Sequence, residues 1–233
     1  MAVYKETPDF GLYLAEQAVK AYFRNDGKAL QAQMAEFCRR ENSPNLYRLY
    51  LRMQREQLNN MIVETVLRSL PELKQRFVIY RYSDEMTYLQ IEARLHASSK
   101  LLNDWNKGIL RSIELMLFYS LGRKDVFCRM RVVNMIHIID LRLEAMQESL
   151  VPVNQQMVAV LTERRGRYRR LLAEMDECER KAVGDTYNSI VTAKLHNHND
   201  NYTMVASLTG YSCGCVGKNL KKFEERMVRK YIR

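Results

Sequence analysis

Apolar positions recur at helical spacing along most of the chain, and the breaks between them mark the elements. Leu12, Ala15, Val19 and Phe23 place one stripe on a helix over residues 8–24, which the turn Asn25-Asp26-Gly27 ends. Leu30, Met34 and Phe37 carry a second helix to about Arg40, so the pair reads as a hairpin closed by Asn42-Ser43-Pro44. From Pro44 onward, Leu46, Tyr50, Met53, Leu58 and Ile62 predict a long amphipathic helix. It should stop near Ser69, because Pro71 disfavours helical geometry at Leu70. Ser69 is the expected cap of the next helix, with Pro71 where a missing N–H costs nothing.

The segment VVNMIHIIDLRL (132–143) is apolar almost all round and has helix-like flanks. It predicts a buried helix within 122–150, sandwiched between two layers or two chains. Pro152 opens a further amphipathic helix, with Met157, Leu161, Tyr168, Leu171, Met175 and Cys178 on one side. HNHNDN (196–201) reads as a loop before the final helices. Nothing reads as a sheet, so the expected class is all-α, multi-helix.

A weak internal repeat adds organisation to this string of helices. Sliding the chain by 114 residues lays Tyr88 on Tyr202, Ile91 on Val205, His96 on Gly210, Ser98 on Ser212, Leu102 on Val216 and Lys107 on Lys221. In each copy an apolar residue is followed five positions later by a corner residue, then a serine, then another apolar residue. That is what a helix-turn-helix requires. The corner must tolerate a left-handed backbone, and the serine caps the second helix, leaving its N-terminus attractive to phosphate. Two substitutions depart from the usual pattern in the first copy: His96 at the corner, and Glu92 where a small residue such as Ala206 packs in the second.

Residues 70–113, with Leu70-Pro71-Glu72, Arg81-Tyr82, Thr87-Tyr88, Ile91, Leu95, Ser98 and Lys107, resemble the fourth conserved region of bacterial sigma factors. The second copy is similar to the helix-turn-helix of small phage transcription regulators of the ArpU and RinA kind. The resemblance covers about 45 residues in each half and implies two sigma-like modules joined by long helices. The implied organisation is an N-terminal hairpin (1–42), a first module (43–121), an apolar connecting or dimerisation helix (122–150), and a C-terminal module with a basic tail (151–233). Sigma regions that contact core polymerase or melt DNA are not seen.

Charge points to the same class of partner. Lys and Arg number 37 against 27 Asp and Glu, a formal +10, which attracts polyanions. Residues 217–233 alone hold seven cations and two acids. In the C-terminal copy the candidate DNA-binding residues are Tyr211, Ser212, Lys218, Asn219, Lys221, Lys222 and Arg226. Asn can read adenine by a bidentate pair, while Lys anchors phosphate. The N-terminal copy offers Ser99, Lys100, Asn103, Asn106, Lys107 and Arg111. Asp104 in their midst would repel phosphate, which marks this copy as the one expected to have become structural. ERRGRYRR (163–170) reads either as a phosphate clamp or as a surface face paired with Glu174, Asp176 and Glu177.

Other chemistry is sparse. Five cysteines without framework spacing predict reduced thiols. Cys213-x-Cys215 with His196 and His198 lacks the spacing of a structural zinc site. His137, with Asp140 one turn on, is expected to be a hydrogen-bonded core histidine, and Trp105 a core residue. With no phosphate loop, nucleophile elbow or HExxH, no enzyme, cofactor or metal is expected. No signal-peptide or membrane-length apolar run is present, so the expected location is the cytoplasm, away from membranes. The expected function is a sequence-specific regulator bound to double-stranded DNA, acting as one chain on unlike half-sites or as a homodimer through the apolar helix. The competing readings are an adaptor that binds RNA polymerase or another regulator, and an RNA-binding protein, which the few aromatics on the basic segments disfavour.

Overall fold

The computed structural model describes residues 10–24, 26–39, 46–148, 153–197 and 201–232. Among them the protein is all-α, without a strand. The helices are α1 (Phe10–Arg24), α2 (Asp26–Arg39), α3 (Leu46–Arg68), α4 (Glu72–Val78), α5 (Tyr88–Leu95), α6 (Ser99–Leu117), α7 (Arg129–Gln147), α8 (Gln155–Arg180), α9 (Thr186–His196), α10 (Tyr202–Thr209) and α11 (Cys213–Met227). Short π-helical turns at Ile79–Ser83 and Val228–Ile232 extend α4 and α11, and a 3₁₀ turn spans Arg123–Phe127. No helix among the described residues is long and apolar enough to cross a membrane. The chain folds as two compact units, Met1–Phe118 and Tyr119–Arg233.

In the first unit α1 packs on α6 and α3, while α2 lies along α3. Gly11, Ala15 and Ala18 form a small-residue stripe on α1 that is buried, so α6 approaches closely. The core is completed by Ile62, Val63 and Val66 of α3, Phe77 of α4, Ile91 of α5, and Leu102, Ile109 and Ile113 of α6, none more than 3% exposed. α2 begins at Asp26, so Gly27 is helical rather than part of a turn. The predicted stop at Asn42-Ser43-Pro44 and the start at Pro152 lie outside the described residues, as do Asn25 and residues 198–200 of the predicted loop.

Ser69 does not cap α4. Its hydroxyl donates to the Val66 carbonyl at 2.7 Å, closing α3 instead. Pro71 is the N-cap residue of α4 without a side-chain bond. A serine two residues ahead of the cap reaches the preceding helix end more readily than the next helix start.

In the second unit α7 and α8 form the most extensive helix pair, with Leu161, Tyr168, Leu171 and Met175 turned inward, none above 4% exposure. Segment 122–150 is not one helix buried all round. The 3₁₀ turn ends at Cys128 (φ −115, ψ 83), where α7 begins. Along α7, Val132, Met135, Ile138 and Ile139 are buried, but Val133 and His137 face solvent. His137 is therefore a surface residue, not a core histidine. The Tyr168 hydroxyl accepts from the Leu121 N–H at 3.2 Å and donates to the Tyr119 carbonyl at 3.3 Å, fixing the start of this unit.

The two units repeat one order of helices, α4–α6 and α9–α11, in a common register. N-cap residues Pro71 and Asp185, Thr87 and Asn201, and Ser98 and Ser212 are each 114 residues apart. So are the left-handed corners, His96 (φ 51, ψ 40) and Gly210 (φ 74, ψ 6). The same offset pairs buried side chains: Phe77 with Val191, Ile91 with Val205, Leu102 with Val216, Ile109 with Phe223, and Ile113 with Met227. One register thus holds from α4 to the end of α6 without insertion.

Candidate nucleic-acid interface

In the second unit the corner between α10 and α11 is built by local chemistry. Gly210 takes the left-handed conformation that closes α10. The Ser212 hydroxyl accepts from the Cys215 N–H at 3.3 Å and caps α11. Tyr211 accepts a hydrogen bond from Thr186 at 3.1 Å, tying the corner to the first turn of α9. Val216, Leu220, Phe223 and Met227 then bury the inner face of α11, none above 1% exposure.

The opposite face is polar and open. Cys213, Gly214, Lys218, Lys221, Lys222 and Glu225 are exposed, and positions 214, 218, 221, 222 and 225 fall on one helical stripe. Lys218 has no ion-pair partner among the described residues, and Lys221 lies 4.0 Å from Glu225. Lys222 sits over the Tyr187 ring, 5.5 Å from its centroid. Burial pushes the Tyr187 phenol up, so the ring stays neutral beneath the ammonium. A Cβ added at Gly214 would meet nothing within 4 Å. The first turn of α11 is therefore slim on its outer side. Cys213 and Gly214 are absent from the sequence-derived set, though stepping back one helical turn from Lys218 reaches Gly214.

Two residues of that set are engaged elsewhere. Asn219 is half-buried and donates back to the Cys215 carbonyl at 2.9 Å. Arg226 donates to Glu174 of α8 at 2.8 Å and lies 5.8 Å from the Tyr187 ring centre. Glu174 also accepts from Lys230 at 2.9 Å and Tyr231 at 3.0 Å. Its burial alone would raise its pKa, but the Lys230 and Tyr231 hydrogen bonds and the Arg226 charge outweigh this and hold it below the ordinary carboxylate value.

In the first unit Ser98 caps α6 by accepting from the Leu101 N–H at 3.3 Å. Lys100, Asn103, Lys107 and Arg111 are exposed at positions that share one stripe, with Asp104 exposed beside them. Ser99 donates to Glu92 at 2.5 Å, which gives that half-buried carboxylate a partner in the helix pair. Asn106 is half-buried and accepts from the Tyr82 hydroxyl at 2.8 Å. Burial first, and the nearby Glu16 charge second, push Tyr82 up to about 12. Arg111 pairs with Glu114, a buried carboxylate one turn on. Trp105 is half-buried, edge-on to Phe77 at 6.1 Å, with Lys74 5.9 Å from its ring centre.

The arginine run of α8 joins helices. Arg165 and Arg169 both donate to Asp140 of α7 at 3.0 Å, and Arg164 to the Tyr119 carbonyl at 3.2 Å. Arg167 meets Glu163 on its own helix at 3.6 Å, and the partner across helices is Asp140 rather than Glu174, Asp176 or Glu177, which take Arg226, Arg129 and Arg180 respectively. By sequence, the second unit holds twenty Lys and Arg against thirteen Asp and Glu, and the first seventeen against fourteen, so most of the positive excess lies in the unit that carries α11.

The chain matches no protein-family model, no curated protein and no solved structure.

Proposed function

We propose that the protein is a sequence-specific double-stranded DNA-binding transcriptional regulator, reading duplex through α11. The observation that carries this reading is the division of α11 into a fully buried apolar face and an exposed stripe of Gly214, Lys218, Lys221 and Lys222 behind a serine cap. A helix held from one side, slim at its first turn and cationic beyond it, suits a major groove: its backbone approaches phosphate and its lysines flank the walls. The repeated corner and cap, with the resemblance to sigma region four, favour the same reading. In the first unit the stripe of Lys100, Lys107 and Arg111 has Asp104 exposed beside it, and Arg111 is already paired with Glu114.

One observation favours the adaptor reading. α10 has no charged residue, yet leaves Tyr202, Met204 and Leu208 40–57% exposed, which suits a protein partner such as RNA polymerase better than phosphate.

Selection of bound duplexes from a random pool, followed by footprinting and a salt titration, tests the proposal. Enrichment of a defined site, with affinity falling steeply as salt rises, is expected. Failure to retain any duplex at low salt overturns it in favour of the adaptor.

A further inference from the structure

A cavity of about 540 Å³ lies in the first unit between α1, α3 and the C-terminal end of α6. Leu14, Leu58, Ile62, Leu117 and Phe118 give it an apolar lining. Phe118 is 49% exposed at the end of α6. Its volume and lining are those of a small-molecule site, apolar with a few polar groups to fix orientation.

The charges at its walls select the ligand. Lys20 lines the cavity but is held by Glu16 at 3.0 Å. Arg24 on α1 and Arg55 on α3 are exposed, have no ion-pair partner among the described residues, and stand against a single lining acid, Glu56. Two guanidiniums and one carboxylate leave one positive charge uncompensated beside an apolar chamber. A neutral apolar molecule would leave that charge unused, and a cation would be repelled.

We infer that the first unit binds a small amphiphilic monoanion, its apolar body in the cavity and its carboxylate at Arg24 and Arg55. Guanidinium suits this role because its fork can take a carboxylate through two parallel hydrogen bonds. The inference stands apart from the DNA reading, since no residue of the cavity belongs to either lysine stripe.

Titration calorimetry on the full chain tests it with three probes that share a ten-carbon chain, below their micelle concentrations: decanoate, decanol and decyltrimethylammonium. Decanoate should saturate one site at least about tenfold more tightly than decanol, and the ammonium should bind weakest; about tenfold is the order of one charge-assisted hydrogen bond. Arg24→Gln and Arg55→Gln should each weaken decanoate severalfold while leaving decanol and helix content unchanged. Arg180→Gln, at an exposed cation of the second unit, should change nothing. Equal binding of the three probes, no binding of decanoate, or a decanoate affinity indifferent to both arginine variants overturns the inference.

Discussion

Arg226 of α11 donates to Glu174 of α8 at 2.8 Å, whereas Lys221, less than two turns earlier, meets only its helix neighbour Glu225 at 4.0 Å. Cations on one helix thus have separable roles. Lys221→Ala with Lys222→Ala should lower the slope of log affinity against log salt by up to about 2 and leave thermal stability nearly unchanged. Arg226→Ala should instead destabilise the second unit, because it strips a partner from a partly buried carboxylate. Parallel salt titrations and thermal melts separate the two. Equal effects on both readouts from both variants would count against the division.

Glu174 also gives the protein a pH signature. Its folded pKa is depressed, so its contribution to stability is present above the unfolded value of about 4.5 and is lost as pH falls through the folded value. Glu174→Gln should flatten the acid limb of the stability profile and lower the plateau near neutrality. Denaturant melts across acid pH check this; an unchanged acid limb would show that Glu174 is not coupled to folding.

At the alkaline end the group is Tyr82. Its pKa is raised to about 12 by burial and the Glu16 charge, so its contribution is complete below 10 and fades as pH rises through the folded value. Tyr82→Phe should remove one late-titrating phenol from the ultraviolet absorbance profile. It should also cost about 0.5–1.5 kcal/mol by stranding the half-buried Asn106.

Two glycines of the second unit should respond with opposite signs. Gly210 sits at φ 74 with open space around it, so Gly210→Ala meets no clash and its cost is backbone strain, about 1–2 kcal/mol. Gly214 is helical and equally open, so Gly214→Ala should gain up to about 1 kcal/mol. The same methyl thickens the first turn of α11, and duplex affinity should fall despite the added stability. A Gly214→Ala variant that binds duplex as well as the parent would remove the first turn from the interface.

In the first unit, a Cβ at Gly11 would collide with the Glu114 side chain, which is buried and held by Arg111. Gly11→Ala should cost about 1–3 kcal/mol by forcing the carboxylate away from its partner. Glu114→Ala in the same background should recover part of that loss, a non-additivity that a double-mutant cycle measures.

Much of the helical layout is legible along the chain because it is written locally. Apolar spacing places most of the helices, and serines at 98 and 212 cap α6 and α11 where the spacing expects them. Ser69 misleads because a hydroxyl cannot announce which of two adjacent helix ends it will serve. The repeat is legible from Tyr88 onward, where like residues stand in like places. Upstream it is not: Pro71 and Asp185 start helices by different chemistry, and Phe77 and Val191 fill the same inner position with side chains of different size.

The sequence by itself determined the all-α class, the corners at His96 and Gly210, and the apolar stripes that hold α6 and α11. Only the tertiary structure decided which cations remain open to a polyanion. Glu174 and Arg226 are 52 residues apart, Asp140 and Arg165 25, and nothing local to either partner names the other. Helix formation depends on neighbours within a turn, while the satisfaction of a charge depends on whatever the fold brings within hydrogen-bond reach.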